Sequence, residues 1–247
     1  MRKEDVTRRL GLDSGDFYIT APAPCPYLKG ETERKVFSYL GGPAAPAVNA
    51  MLSQRGFRRS QNIIYMPACE QCNACRPVRI VADAFEPSKS RRRIINKNSS
   101  LIRRIRGPKA TSEQFSVLRG YLDSRHADGG MSEMTVLDYA SMVEETAVDT
   151  IVVEYIEQFE DGREQLIACA LTDRLPDGLS MVYSFFEPDE AQRSLGQFMI
   201  LDHIALAREL GLPYVYLGYW VRGSKKMDYK RTYQPLEALS HNGWQRF

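Results

Sequence analysis

The sequence has no stretch able to span a membrane: no window approaches the roughly 18–20 consecutive apolar residues that a helix needs to cross one. The opening segment, MRKEDVTRRLGLDSGDF, carries charge but no apolar run, so no secretory signal is expected and the cytoplasm is the expected compartment. Histidine is scarce. His126 is expected in a turn, His203 half-exposed on a helix in a structural role, and His241 near the C-terminus, so the three form no cluster. Spacing therefore supports neither a Ser-His-Asp nor a Cys-His nucleophile. Internal repeats and low-complexity segments are also missing. The five cysteines are an odd number in a chain with no secretion signal, which argues against a disulfide framework.

What is present is length and an uneven charge. A chain of 247 residues is long enough for one large domain or two small lobes. The formal net charge of +2 conceals two halves: residues 1–110 hold 21 Lys and Arg against 9 Asp and Glu, and residues 111–247 hold 12 against 22. We expect a division there, with 1–110 a basic, cysteine-containing N-terminal lobe and 111–247 a second domain. The segment RRRIINKNSSLIRRIRGPK (91–109) has eight basic residues and no acidic one, a candidate contact for a phosphate backbone through Arg91, Arg92, Arg93 and Lys97.

Three cysteines recur at one spacing, Cys69-x-x-Cys72-x-x-Cys75, which lets thiolates reach one tetrahedral metal from a tight turn. Cys25, in PCPYL, is the candidate fourth ligand. Zinc and an iron–sulfur cluster both accept such a set, and with no His or carboxylate inside the motif a metal there would be structural or redox-sensing. The alternative is four reduced thiols packing a turn. Cys169, in LIACAL, is expected to be a small buried hydrophobe.

Residues 15–30 are too rich in proline for a helix. A helix is expected to start at 31 and break at Gly41-Gly42-Pro43, with a second over 44–55. QNIIYMPAC reads as a strand ending at Pro67, and CRPVRIVADAFEP as a strand with Val78, Ile80 and Ala82 on one face. A basic helix is expected over 88–106, stopped by Gly107-Pro108, and another over 111–126 with Phe115, Leu118 and Leu122 on its apolar face. Residues 126–131 read as a loop and 135–146 as a helix. TIVVEYIEQF, EQLIACALTDRL and LSMVYSFFEP read as three antiparallel strands joined by short turns. A helix over 192–210 and the strand PYVYLGYWV complete a β-β-β-α-β order.

That order resembles the core of the GNAT acyltransferase fold, an α+β architecture with a mostly antiparallel sheet and helices. Arg193-Ser194-Leu195-Gly196, at the start of the last helix, resembles the loop that holds an acyl-CoA pyrophosphate in those enzymes. Backbone N–H groups at such a turn can gather on one anion. Phe198 departs from that loop at a position where a large ring would crowd a pyrophosphate, which weakens the inference to acyl-CoA.

Several segments in one order resemble the arginyl-tRNA–protein transferase family in its shorter bacterial branch. They are PCPYL (24–28), GFRRSQNIIYMPACEQCNACRPVRI (56–80), SRRRIINKN (90–98), RHADGGM (125–131), LTDRLPDGLSMVYSFFEPD (171–189), RSLGQFMILDHI (193–204) and YLGYWVRGSKKMDYK (216–230). Met66 departs from the family where Arg is expected, and Gln61 where Gly is frequent. The resemblance implies a cytoplasmic enzyme that moves leucine from Leu-tRNA to proteins beginning with Asp or Glu, marking them for degradation (the N-end rule pathway), with no cofactor needed for the chemistry. Alternatives are the Arg-tRNA-dependent reaction of the same family, an acyl-CoA N-acetyltransferase, and a non-catalytic RNA-binding module.

On that reading, Arg91, Arg92, Arg93, Lys97, Arg193, Ser194 and Gly196 are expected to meet the tRNA or its aminoacyl end. An acidic acceptor side chain needs a cation, and Arg76, Lys226, Tyr229 and Lys230 are the candidates around it. Asp173, in LTDRL, is the expected carboxylate that binds or deprotonates the acceptor amine, with Glu154 second.

Overall fold

In the computed structural model, which describes residues 17–125 and 133–247, the chain is an α+β protein with a mixed sheet and an N-terminal cysteine-containing region. Strands β1 (Phe17–Ile19), β2 (Ala23–Pro24), β3 (Thr32–Glu33) and β4 (Lys35–Tyr39) come first, then helix α1 (Ala45–Gln54) and strands β5 (Arg58–Ser60), β6 (Ile63–Pro67) and β7 (Cys75–Val81). Helix α2 (Lys89–Lys97), strand β8 (Ile102–Arg106), helix α3 (Ser112–Arg125) and helix α4 (Val136–Glu144) follow. The remainder is β9 (Thr150–Gln158), β10 (Glu164–Leu175), β11 (Gly178–Phe186), α5 (Leu195–Glu209), β12 (Tyr214–Val221), β13 (Leu236–Ser240) and β14 (Gly243–Arg246). Short 3-10 segments, Pro188–Arg193 and Lys225–Thr232, precede α5 and β13.

Eight strands form the large sheet in the order β14-β13-β7-β12-β11-β10-β9-β8. Its strand pairs are antiparallel except β11 with β12. Alternate residues of the central strands serve different layers, as a period of two requires. Val153, Tyr155, Ala168 and Ala170 pack with α5, whereas Val152, Cys169, Leu171 and Phe185 pack with α3 and α4. The small sheet, β1-β4-β6-β5, closes over α1 with its own core of Phe17, Val36, Leu52, Phe57 and Ile64.

The three central strands, the helices of the second half and the burial of Cys169 match the sequence expectations. Three expectations do not hold. The helix expected from residue 31 is replaced by two strands of different sheets, β3 and β4, and Val36 of β4 alternates into the small core. The basic helix ends at Lys97 rather than 106, because the Asn98 side chain turns back to the carbonyls of Ile94 and Arg193. Ile102–Arg106 becomes an edge strand, where charge discourages pairing with another chain. His203 is not half-exposed but sealed in the core, bonded to Thr172 Oγ1 and the Met199 carbonyl, and burial pulls its imidazole below the ordinary value.

The division at residue 110 separates charge but not fold: β7 lies between β13 and β12, and β8 pairs with β9. Gln61 takes φ 51° in the β5–β6 turn, which accounts for glycine being the expected residue there. Met66, at the other noted departure, packs its side chain on the small core. The loop expected at 126–131, with His126, lies outside the described residues.

One buried ion pair joins the two sheets. Arg59 Nε and Nη2 donate to the two Asp173 oxygens at 2.6 and 2.7 Å, and Thr150 Oγ1 donates to the same carboxylate at 2.8 Å. Both charged side chains are 1% exposed. Removing one partner strands the other charge out of water at a cost of about 3–5 kcal/mol, whereas replacing both by apolar groups is far milder. Arg59→Leu should therefore lower stability by about that much in urea unfolding, and the Arg59→Leu/Asp173→Leu double variant should recover most of the loss.

Candidate active site

β11 and β12 run parallel but pair over only three residues, Gly178–Ser180 with Tyr214–Tyr216. Each has an extra residue just beyond. The β10 register skips Val182 on β11, and the β7 register skips Leu217 on β12. Paired bulges at one level turn the strands apart, so both continue while a crevice opens between them.

Arg58 fills the apex of that crevice. Its Nη1 donates to Ser180 Oγ at 3.0 Å and its Nη2 to the Met181 carbonyl, which no strand neighbour across the parting reaches. On the other wall Gly218 has φ +76°, and a Cβ there would stand 3.0 Å from Arg58 Nε. Glycine is thus needed at 218 for its backbone conformation and for the room the guanidinium takes. Arg58 and Arg59 are neighbours on a strand and point to opposite faces, so the buried pair with Asp173 also aims Arg58 into the crevice.

Lys230 meets the same wall from the 3-10 segment Lys225–Thr232, donating from Nζ to the Tyr219 carbonyl at 2.8 Å. It is 7% exposed. Burial, with Arg58 alongside, brings its ammonium down from the ordinary lysine value to about 7. Arg58 is pulled down by loss of water, and the carboxylate it feels, Asp173, is already held by Arg59. Among the described residues neither Arg58 nor Lys230 has an ion-pair partner. Tyr65 and Tyr219 border the two cations on one side, their rings 6.4 Å apart, and the Tyr219 hydroxyl donates to the Gly56 carbonyl at 2.7 Å. Tyr229, 44% exposed, stands where it feels both Arg58 and Tyr121 of α3.

The expected carboxylates are elsewhere occupied. Asp173 is sealed against Arg59 and Thr150, with no route for an amine. Glu154 accepts from Gln114 Nε2 at 2.8 Å and Arg106 Nε at 3.5 Å, inside the α3 and α4 layer. Both serve as structural partners, because the strand positions that carry them face packed layers and not the crevice. Of the expected acceptor residues, Lys230 and Tyr229 reach the crevice; Lys226 is exposed on the same 3-10 segment, and Arg76 lies beyond the crevice at the start of β7.

Two matches decide the family. The model of the arginine-tRNA-protein transferase C terminus matches residues 113–240, and that of its N terminus matches residues 23–93. The chain belongs to the arginine-tRNA-protein transferase family. It is 59% identical over 239 residues to the aspartate/glutamate leucyltransferase of Rhodopseudomonas palustris strain BisA53, covering 95% of this chain and 93% of that one. It is 58% identical over 232 residues to the protein of the same name from Afipia carboxidovorans, at 93% and 92% coverage. Among solved structures, L-PGS from Bacillus licheniformis aligns with a TM-score of 0.46 at 12% identity, over 88% of this chain and 76% of that one, too distant to bear on function.

In this transferase the turn before α5 is tightly tied. Ser194 sits at φ 55°, ψ 43°, and Arg193 pairs with Glu157 at 2.5 Å while its Nε donates to Asn98 Oδ1 at 3.1 Å. Arg193 is thus a structural strut rather than a free anion ligand. Phe198 turns into the core, edge-on to Tyr155 at 5.4 Å, so it does not crowd the helix start as the sequence suggested. Gly196 has room for a Cβ, with Phe186 3.5 Å away.

The basic block divides in two. Arg103, Arg104 and Arg106 pair with Asp202 and Glu209, Glu164, and Glu154 respectively. On α2, Arg92, Arg93 and Lys97 stay exposed, while Arg91 donates to the Thr232 carbonyl and its hydroxyl and lies 4.3 Å over the Tyr233 ring.

The four expected metal ligands converge. Cys25, Cys69, Cys72 and Cys75 line one small cavity with Tyr27, Tyr65 and Tyr219, next to the crevice. Burial, followed by the neighbouring Cys69, Cys25 and Cys72, pushes the Cys75 thiol up to about 12. Among the described residues no group of three or more His, Cys, Asp or Glu side chains is arranged to hold a metal ion as it stands. The donor set nevertheless fits a soft cation, which reverses the mutual cost of bringing thiolates together.

Arg58, the residue at the apex, lies within the GFRR segment and is not among the candidate residues that composition and motif spacing point to. A consecutive Arg pair in a short strand was the available signal, since the two must face opposite ways.

A titration tests the crevice. Lys230 binds a carboxylate only when protonated, and its value lies near 7, so its charge is present below that pH and lost above it. Binding of an Asp-initiated peptide in the absence of tRNA should weaken roughly tenfold between about pH 6.5 and about pH 8.5. Titration of the peptide amine near 7.7–8.0 contributes equally in every variant. Lys230→Arg should remove the extra pH dependence, measured by calorimetry.

Proposed function

We propose that this chain transfers leucine from Leu-tRNA to the α-amine of proteins whose first residue is Asp or Glu, marking them for degradation in the cytoplasm. The observation that carries the reading is the pair of desolvated cations, Arg58 and Lys230, which have no ion-pair partner among the described residues and stand at the parting of β11 and β12. Each raises the cost of the other, and an acidic side chain relieves both at once. Relatives bearing the name aspartate/glutamate leucyltransferase support the choice of acceptor and donor over the Arg-tRNA and acyl-CoA alternatives.

The chemistry asks little of a strong base. The aminoacyl ester is already activated, and an N-terminal amine with a pKa of about 7.7–8.0 is roughly a tenth to a fifth neutral at pH 7. Holding the acceptor side chain on Arg58 and Lys230 sets its amine one residue's length away, where alignment with the ester carbonyl supplies most of the acceleration. The amine nitrogen bonds to the carbonyl carbon, the ester C–O bond breaks, and the ribose hydroxyl leaves with the proton the amine gives up. Tyr219 and Tyr229 wall the crevice and limit water, which would otherwise hydrolyse the ester.

The unit β9 to β12 with α5 supports a GNAT-like core, in which the crevice between the parallel strands receives the aminoacyl end. Exposed Arg92, Arg93 and Lys97 of α2 would meet the tRNA phosphates. Cys25, Cys69, Cys72 and Cys75 would hold a structural zinc ion or an iron–sulfur cluster, which when bound ties the 25–31 loop to the β6–β7 turn and thereby steadies Tyr65 and Tyr219.

Transfer of labelled amino acid from Leu-, Arg- and Phe-tRNA to peptides starting with Asp, Glu or Ala tests this reading. Label should pass from Leu-tRNA to Asp and Glu peptides, and Arg58→Gln should raise the acceptor KM about tenfold or more. No transfer from any donor sinks the proposal. Elemental analysis and absorption spectra of anaerobically purified protein should show metal bound to the chain, lost in Cys72→Ser.

A further inference from the structure

We propose that a second cavity, on the opposite side of β12 from the crevice, seats a phosphodiester of the single-stranded 3′ end of the donor tRNA; this rests on the reading of a tRNA donor above. The cavity, of about 410 Å³, is bounded by Arg76, Arg222 and Arg231 with Asp228, Trp220 and Phe247. Three arginines and one aspartate thus share its lining, and Asp228 already accepts a bond from Trp220 Nε1 at 3.3 Å. Arg76 has no hydrogen bond or ion pair among the described residues. Arg222 donates to Asn73 Oδ1 at 3.0 Å, and Arg231 lies 5.4 Å over both the Trp220 and Phe247 rings. Most of their planar donor forks remain open, a geometry suited to phosphate oxygens.

Two observations favour nucleic acid over the acceptor peptide. Tyr219 and Trp220 are neighbours on β12 and face opposite ways, and while Lys230 meets the Tyr219 carbonyl, Arg231 lies over the Trp220 ring, so the cavity is separated by the strand from the crevice that takes the acidic side chain. The residue after Arg231 is Thr232, whose carbonyl and hydroxyl accept from Arg91 of α2. Helix α2, with its exposed Lys89, Arg92 and Arg93, is thus tied to the segment that carries Arg231, and cations on both suit a run of phosphates better than one carboxylate. The guanidinium laid on two rings adds the kind of platform on which unpaired bases stack.

The test is binding of uncharged tRNA, with and without its terminal three nucleotides, across a salt series. The full-length protein should lose affinity when the end is removed. Arg222→Gln/Arg231→Gln should bind intact tRNA about tenfold more weakly, with the salt slope reduced by about 2, and should be indifferent to the truncation. Arg76→Gln, a change at an exposed residue with no bonds to lose, should shift affinity and slope the same way by about half. Unchanged affinity and slope overturn the inference, as does an equal loss for intact and truncated tRNA. A raised acceptor KM with tRNA affinity intact also overturns it, giving the cavity to the peptide. Binding of uncharged tRNA does not depend on which amino acid is transferred, so a failure of leucyl transfer with these results in place would count against the proposed function alone.

Discussion

The buried pair of Arg59 with Asp173 holds β5 of the small sheet against β9 and β10 of the large one. Its strength comes from being dry and bidentate, and its cost is that neither charge tolerates losing the other. β5 is only three residues long and is paired along one edge, with β6. With Arg59 locked on one face, Arg58 must project from the other, and it lands between β11 and β12. A structural interaction in one direction thus positions a candidate substrate-binding group in the other.

The parting of β11 and β12 needs that support. Parallel strands that stop pairing leave carbonyls with no ladder partner, and a buried carbonyl without a donor is costly. The chain resolves this with cations: Arg58 serves Met181 and Lys230 serves Tyr219. The same two groups that let the crevice stay open charge it. Gly218 belongs to this arrangement, since any side chain there would contest the space of the guanidinium. The crevice, the bulges and the unpaired charges are one solution to a backbone problem, and an anionic substrate completes it.

Charge is also sorted along the chain by the fold. Of the basic block at 91–109, the strand arginines are consumed by carboxylates of β9, β10 and α5, while those of α2 stay at the surface. A run that looks uniform in sequence becomes an internal brace and an external track. The excess of acid in the second half is partly the counterpart of that brace. Glu154, Glu164, Asp202 and Glu209 all face basic residues from the first half.

Much of this protein was legible from local pattern. Apolar segments set off by short turns announced β9, β10 and β11, helical spacing announced α3, and the ordered set of motifs announced the family. The cysteine spacing identified Cys69, Cys72 and Cys75, and the fold gathers them around one cavity with the distant Cys25, the candidate fourth member. Local pattern misled where a short segment satisfied two periods, as at 35–39 and 102–106, because pairing with strands far away in the chain settled the outcome. The pairing of Asp173, the expected catalytic carboxylate, was hidden for the same reason: whether a carboxylate is free depends on which arginine reaches it, and Arg59 lies more than a hundred residues away. The sequence by itself determined the family, the strand and helix content of the second half and the chemistry available. Only the tertiary structure decided which charges are spent on the fold and which are left for a substrate, because burial and pairing arise between residues that the chain keeps far apart.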